Sequence, residues 1–90
     1  MLLKEGRALF LAGTALALEG QGDLKGAEEL FIRARETDPN NLRVRMDFGG
    51  FYTRKKIPSL AAPEYGRATE LDPRNPETHY LYGKIGRAHV

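Results

Sequence analysis

The stretch Asp38-Pro39-Asn40-Asn41 returns as Asp72-Pro73-Arg74-Asn75, with the two prolines 34 residues apart. The same offset pairs further residues of like chemistry: Ala27 with Ala61, Phe31 with Tyr65, Arg33 with Arg67, Ala34 with Ala68, Phe48 with Tyr82 and Gly49 with Gly83. A fixed period of roughly 20–50 residues is typical of solenoids, in which each unit packs against the next. The period therefore predicts a repeat scaffold, and it does not by itself identify a ligand.

Composition excludes several classes of protein. The 90 residues make at most one small domain, near the lower limit of what buries an adequate core. With no cysteine, the chain has neither disulfides nor a cysteine-based zinc site. Its 14 basic and 12 acidic residues are interspersed, unlike the concentrated basic face of a nucleic-acid-binding protein. No apolar run is long enough for a transmembrane helix. We therefore expect neither a nucleic-acid nor a membrane partner.

The amino-terminal segment has two interpretations. Residues 1–17 contain two basic residues and an apolar run from Ala8 to Leu16, as a secretory signal peptide does. Against this, Glu5 lies in the basic region, and the run is in register with the downstream repeat. We favour a repeat helix and a cytoplasmic protein. A secreted or periplasmic location follows if residues 1–17 act as a signal peptide.

The carboxyl-terminal residues Ile85-Gly86-Arg87-Ala88-His89-Val90 resemble the translation of a common sequencing adapter. A segment of that origin is set aside in fold reasoning, as an affinity tag is. The other interpretation is an ordinary helical segment. We favour a non-native tail at 85–90, and we expect the native chain to break off near Lys84, within a repeat.

Apolar residues at helical spacing predict a first helix from about Leu2 to Glu19. Gly20 and Gly22 end it, because two glycines so close together favour a turn. A second helix is predicted from Leu24 to Thr37, with Asp23 as its N-cap. The expected inner faces are apolar: Leu3, Leu11, Ala15 and Leu18 in the first helix, and Leu24, Ala27, Leu30, Phe31 and Ala34 in the second.

The second repeat begins with a helix predicted from Leu42 to about Arg54, capped by Asn41. Pro63 complicates the next helix, because proline has no N–H to donate backwards. Either Ser59 caps that helix and its first bond is lost, or the helix starts late with Pro63 in its first turn; we favour the late start. A fifth helix is predicted from Asn75-Pro76, a cap followed by a first-turn proline.

Small residues recur where two helices are expected to meet. Gly49 falls at the position that Ala15 and Gly83 occupy in the other repeats. A residue with little or no side chain lets a neighbouring helix backbone approach closely. Phe31 is then expected to fill the gap between stacked units.

One pattern of small, aromatic and proline residues runs through the chain: Leu11, Ala15, Leu18, Gly22, Leu24, Ala27, Phe31, Ala34 and Pro39, then Phe48, Gly49, Tyr52, Ala61, Tyr65, Ala68, Leu71 and Pro73, then Tyr82 and Gly83. The pattern resembles the tetratricopeptide repeat, a helix-turn-helix unit of 34 residues. The resemblance covers residues 8–84 and implies an all-α fold, with antiparallel helix pairs stacked as a right-handed α-solenoid of five helices.

Repeat boundaries follow from the resemblance. Residues 1–84 form the array, with repeat one at about 8–41, repeat two at about 42–75 and a partial third repeat at 76–84. The chain departs from the family pattern at a few positions, which affects local packing: Thr14, Arg45 (where Leu11 and His79 align), Pro58 and Pro63.

Catalytic and metal-binding chemistry has little support in the sequence. His79 and His89 are the only histidines, and no serine or threonine has a histidine at a suggestive spacing. Gly49-Gly50 is not followed by the Gly-Lys-Ser/Thr of a phosphate-binding loop. Six acidic residues are interpreted as solubilising charges on helix faces or turns: Glu28, Glu29, Asp38, Glu64, Glu70 and Asp72. We expect no catalytic residue, metal or cofactor.

In the family that the chain resembles, the first helix of each pair lines a concave groove that holds peptides or partner helices. Carried onto this chain, the candidate groove residues are Leu9, Ala12, Leu16, Arg43, Met46, Gly50, Thr53, Arg54, Tyr80 and Lys84. The groove is apolar at one end and basic with an aromatic at the other. It suits a protein or peptide partner carrying apolar and acidic residues. The other interpretation is that these side chains meet neighbouring repeats of a longer chain.

The function expected from the resemblance is a protein–protein interaction scaffold rather than an enzyme. The chaperone-tail class of these repeats grips a terminal carboxylate with lysine, asparagine and arginine. The corresponding positions here hold none of these residue types: Ala12, Leu16, Asp47, Glu77 and Leu81. Alternatives are the repeat arm of a larger enzyme, for example a glycosyltransferase or kinase, and a secreted or periplasmic repeat protein.

Overall fold

Five α-helices make up the described part of the chain. The computed structural model describes residues 3–89, and the side chains of residues 3–85. The helices are α1 (Lys4–Gly20), α2 (Leu24–Thr37), α3 (Leu42–Arg54), α4 (Pro58–Leu71) and α5 (Pro76–His89). No strand occurs within residues 3–89. The prediction of an all-α fold made of five helices in helix-turn-helix repeats is confirmed.

The two Asp-Pro turns form the same hydrogen bonds. In each, the aspartate N–H donates to the carbonyl oxygen four residues earlier, at 3.1 Å for Asp38 and 3.0 Å for Asp72. In each, the asparagine three residues later donates from Nδ2 to the aspartate Oδ2, at 3.2 Å for both Asn41 and Asn75. Residues that are 34 positions apart in the two turns therefore form equivalent hydrogen bonds.

Side-chain caps start the helices where the sequence predicts them. Asp23 and Asn41 each accept from the N–H three residues later, at 2.9 Å and 3.1 Å. Asn75 accepts from the N–H two residues later, at 2.9 Å. Each bond satisfies a backbone donor that has no partner within its helix. Gly22, at φ +89°, makes the left-handed turn that follows α1.

The chain divides into two units, and unit 1 spans Met1–Val44. Here α1 packs against α2. Side chains that end at Cβ let two helices approach closely, and the fully buried ring of Phe31 supplies volume. Two leucines expected on the inner face are exposed instead, Leu3 by 81% and Leu24 by 42%, because each lies at a helix start. The buried apolar residues are Ala8, Ala12, Ala15, Ala27, Phe31, Ala34 and Val44.

Unit 2 spans Arg45–Val90 and has a core rich in aromatic rings. Phe48 stacks on Tyr52 with ring centroids 4.6 Å apart, and α4 packs against α5. A Cβ placed on Gly49 would lie only 2.7 Å from Cε1 of Tyr65. Gly49 thus permits a close approach, but the group that approaches is the side chain of Tyr65 and not the helix backbone that was predicted. The buried residues are Phe48, Gly49, Phe51, Tyr52, Ala61, Glu64, Tyr65, Ala68, Thr78 and Ile85.

The predicted late start of α4 is wrong. The helix begins at Pro58, a position where the missing N–H costs little, and the N-cap residue Ile57 makes no side-chain cap bond. Pro63 therefore lies inside α4, and Ser59 does not cap it. The lost hydrogen bond is the one to the carbonyl of Ser59, an exposed residue, so water can take the place of the missing donor.

The interpretation of Glu64 as a solubilising charge is also wrong. Its side chain is 4% exposed, and Oε1 accepts from Nη1 of Arg45 at 2.9 Å; the Arg45 side chain is 15% exposed. The departure from the family pattern at Arg45 thus has a structural reason, a buried ion pair between α3 and α4. Repeat one has Leu11 and Leu30 at the same two positions.

Thr69 of α4 carries a buried hydroxyl that has no hydrogen-bond partner. We expect Thr69→Val to raise the free energy of unfolding by about 1 kcal/mol, because an unsatisfied buried group costs roughly 1–3 kcal/mol. Urea denaturation followed by circular dichroism measures the change. Thr53→Val is the matched control, since the Thr53 hydroxyl donates to the Gly49 carbonyl at 2.8 Å. A Thr69→Val variant no more stable than Thr53→Val contradicts the prediction.

Two expectations about the chain ends stay predictions. The backbone of α5 continues through residues 85–89, and Val90 lies outside the described residues. A helical backbone fits either origin of the segment at 85–90. At the other end, residues 4–17 lie within α1, which a signal peptide or a repeat helix can equally form. Within residues 3–89, no helix is both long and apolar enough to cross a membrane.

Candidate functional site

The candidate groove positions of unit 1 lie mainly on α1. Leu9 and Leu16 are two turns apart and share one face, with 39% and 37% of their surfaces exposed. Ala12 between them is only 1% exposed, so it belongs to the core of unit 1. Arg43, at the start of α3, is exposed. Unit 1 thus offers two leucine side chains and, separately, one basic side chain.

Four candidate positions of α3 fall on a second surface, in unit 2. Their spacing of four, three and one residues puts Met46, Gly50, Thr53 and Arg54 on one side of the helix. The first three are half-buried, and Arg54 is exposed. Oγ1 of Thr53 lies 3.5 Å from the hydroxyl of Tyr65. The same hydroxyl donates to the Gly49 carbonyl at 2.8 Å, and this shorter bond within α3 orients the Thr53 side chain.

Gly50 makes room for the guanidinium group of Arg54. A Cβ placed on Gly50 would lie 3.1 Å from Nη1 of Arg54 and 3.7 Å from the hydroxyl oxygen of Tyr65. The guanidinium therefore lies close over the α3 backbone, and a Cβ at position 50 would require it to shift by a few tenths of an ångström. The sequence places both residues in the groove, but it does not predict this close approach.

On α5, Tyr80 and Lys84 are four residues apart and therefore neighbours on the helix surface. Tyr80 is 61% exposed, and Lys84 is also exposed. A large ring beside an ammonium group can contact an apolar and an acidic side chain of one partner.

An open depression of about 390 Å³ in unit 2 was not predicted from the sequence. The ring of Tyr82 lies against Gly66, where an added Cβ would come within 3.4 Å of Cζ. Arg67 and Glu70 form an ion pair at 3.3 Å beside it. A sequence signal exists in the small residues Ala62 and Gly66, one turn apart on α4. None of the candidate groove residues lines the depression, whose walls are Ser59, Ala62, Pro63, Gly66, Arg67, Glu70 and Tyr82.

Within the described residues, no group of three or more His, Cys, Asp or Glu side chains could hold a metal ion. The ring Nε2 of His79 contacts the carbonyl oxygen of Pro73. Glu77 is exposed and Asp47 half-buried, so two positions that would grip a terminal carboxylate carry negative charge. Such a carboxylate would be repelled there.

Comparison with known proteins finds one family. A family model described as tetratricopeptide repeat matches residues 13–76, more than half of the chain. The match includes α2, α3 and α4 and the carboxyl-terminal part of α1 from residue 13, and it spans both Asp-Pro turns. No curated protein matches the sequence.

Proposed function

The chain belongs to the tetratricopeptide repeat family, and from that membership we propose that the first helices of its repeats bind a peptide or partner helix carrying both apolar and acidic residues. Membership makes the chain a protein-interaction module of a kind that is typically non-catalytic. The proposal adds which residues bind the partner and which residue types the partner carries. The residues assigned to binding are the exposed candidates of each unit: Leu9, Leu16 and Arg43 in unit 1, and Arg54, Tyr80 and Lys84 in unit 2.

The apolar part of the proposal is supported by α1. Single exposed leucines are common on protein surfaces and need no explanation. Leu9 and Leu16, however, share one helix face and are both exposed, and the family resemblance assigns both to the groove. Ala12 is buried between them and contributes no side chain to a partner. We therefore assign the apolar contacts of the partner to the two leucines.

The main support for the proposal comes from the basic residues among the candidate groove positions. Arg54 is exposed, and its guanidinium lies close to the α3 backbone at Gly50. Lys84 is exposed beside the ring of Tyr80 on α5. Arginine and tyrosine are enriched among residues that dominate binding energies. Positive charge also steers an acidic partner and disfavours a basic one.

A random peptide library selected on the immobilised chain tests the proposal. We expect enriched peptides to combine Leu, Ile or Phe with Asp or Glu. For the most enriched peptide, Arg54→Glu should raise the Kd by on the order of tenfold, because it places like charges together. Isothermal titration calorimetry measures the change.

Lys25→Glu is the matched control for this test. It reverses the charge of an exposed cation on α2, the second helix of its pair. We expect it to leave the Kd within about twofold, because screening by salt weakens distant surface charges. Enrichment of basic peptides, or an equal effect of the two reversals, contradicts the proposal.

A further inference from the structure

Polar groups of α3 and α4 converge beside one glycine of unit 2. A Cβ placed on Gly50 would lie 3.1 Å from Nη1 of Arg54 and 3.7 Å from the hydroxyl oxygen of Tyr65. That hydroxyl lies 3.5 Å from Oγ1 of Thr53. We call Gly50, Thr53, Arg54 and Tyr65 the Gly50 cluster. Because the guanidinium and the phenol approach the same point beside α3, one small polar group placed there can contact both.

The hydroxyl of Tyr65 is a buried donor without a short hydrogen bond among the described residues. Only 3% of Tyr65 is exposed. Thr53 has a single hydroxyl proton, which it donates to the Gly49 carbonyl at 2.8 Å, so its oxygen can only accept from Tyr65. Their separation of 3.5 Å exceeds the roughly 2.5–3.0 Å that is typical of O–H···O bonds. A closer acceptor would therefore satisfy the Tyr65 hydroxyl better than Thr53 does.

Repeat one shows that helix packing does not require this hydroxyl. Phe31 holds the position of Tyr65, 34 residues earlier, and it is also fully buried. The other three positions of the Gly50 cluster differ as well, since repeat one has Leu16 in place of Gly50, Glu19 in place of Thr53 and Gly20 in place of Arg54. The donors and the space beside them thus occur together in repeat two alone of the two complete repeats. A binding function explains this combination, whereas packing does not.

We propose that the Gly50 cluster binds the side-chain carboxylate of an aspartate or glutamate in the partner peptide, with the Tyr65 hydroxyl donating to one carboxylate oxygen and the Arg54 guanidinium to the other. The inference rests on the proposed function, and it adds Tyr65 as a residue that selects for an acidic side chain. Both protein groups are donors, and an ionised carboxylate only accepts. A guanidinium has five N–H donors, so it can bind a carboxylate while keeping other hydrogen bonds.

The Gly50 cluster should distinguish a carboxylate from an amide of the same shape. An asparagine or glutamine side chain has one oxygen and one NH₂ group, so one of the two donors would face another donor. A site built to form hydrogen bonds discriminates strongly against an analogue that leaves its buried polar groups unpaired. Access is through the side of Gly50, because the guanidinium lies at the end of an exposed and flexible side chain.

Acetate tests the site without any peptide, because it carries the carboxylate of an aspartate side chain. In an NMR titration at constant ionic strength, the side-chain N–H signal of Arg54 should shift saturably with a millimolar Kd, and neutral acetamide should cause no shift. Tyr65→Phe should raise the Kd for acetate on the order of tenfold, as loss of a hydrogen bond to a charged group does. Gly50→Leu, which introduces the residue of repeat one, should abolish the shift.

Tyr82→Phe is the matched control for Tyr65→Phe. It removes the same hydroxyl from an exposed ring on α5, outside the Gly50 cluster, and it should leave the Kd for acetate within about twofold. Circular dichroism of Tyr65→Phe should show an unchanged helical fold, because a phenylalanine packs at the equivalent position of repeat one. An absent acetate response, or an equal response in wild type and Tyr65→Phe, overturns the inference.

The peptide most enriched from the library separates this inference from the proposed function. Its carboxyl terminus is amidated, so only side chains supply carboxylates. Changing its acidic residue to the amide should raise the Kd strongly in wild type and far less in Tyr65→Phe, and a double-mutant cycle gives the coupling. If Arg54→Glu weakens binding but Tyr65→Phe does not, the inference fails and the proposed function stands. If the library shows no preference for acidic peptides, the proposed function fails, and the acetate titration alone decides whether the Gly50 cluster binds a carboxylate.

Discussion

Phe31→Ala is expected to lower the free energy of unfolding by about 3–5 kcal/mol, as truncation of a large buried aromatic does. The ring is fully buried in unit 1, where its neighbours along α2 are alanines that cannot expand to fill the cavity. A chain of this size has a total stability of roughly 5–15 kcal/mol. One substitution can therefore remove a large share of it, and urea denaturation measures the loss.

Phe10→Ala, measured in dilute solution, is the matched control for Phe31→Ala. The substitution is the same, but Phe10 is 67% exposed on α1. We expect a change within about 0.5 kcal/mol, as for surface substitutions in general. A loss below about 1 kcal/mol in Phe31→Ala contradicts the packing that the repeat implies.

Positions that obey the repeat could be predicted from the sequence. Gly49 was predicted to be a point of close approach because Ala15 and Gly83 occupy the same register, and the ring of Tyr65 does approach it closely, although a helix backbone was expected there. The two Asp-Pro turns were predicted alike and form equivalent hydrogen bonds. The two repeats can be compared within one chain. A residue type that occurs at the same position in both is more reliable evidence of a structural role than one that occurs once.

Several predictions failed at positions where the local environment of one copy differs from that of the other. Pro63 was predicted to lie in the first turn of α4, because proline is rare inside helices. The helix in fact begins five residues earlier, and the hydrogen bond that Pro63 cannot form would have involved an exposed residue. Ala12 was placed in the groove by the family pattern, whereas its burial depends on how closely α1 and α2 approach. The burial of such residues depends on the distances between helices, and these distances cannot be read from a periodic sequence pattern.

Glu64 could have been predicted as a buried partner from a signal that the repeat offers. Leu30 holds the same position in repeat one, on the inner face, and Leu11 corresponds to Arg45. Two departures of opposite charge on consecutive helices indicate a pair more strongly than either does alone. The average behaviour of acidic residues, which are seldom buried, favoured the surface interpretation instead.

Glu64→Ala is expected to cost about 3–5 kcal/mol, because it removes a buried carboxylate that accepts from the largely buried guanidinium of Arg45 at 2.9 Å. Glu70→Ala is the matched control, since it also removes an ion pair from α4, in this case with Arg67 at 3.3 Å. The side chains of that pair are 38% and 69% exposed, and we expect its loss to cost less than about 1 kcal/mol. Similar losses in the two variants would show that burial of Glu64 has no energetic consequence.

Arg45→Leu/Glu64→Leu should recover the stability that either single change loses, because it restores the two leucines that repeat one carries at these positions. Replacing a buried ion pair by packed apolar residues is often neutral or stabilising by about 1–4 kcal/mol, since two charges no longer need to be desolvated. A double-mutant cycle in urea gives the coupling between the positions. If the double variant is as unstable as Glu64→Ala, the pair is held by contacts that leucines cannot replace. Recovery would instead mean that the ion pair distinguishes the second helix pair from the first without adding to the stability of the fold.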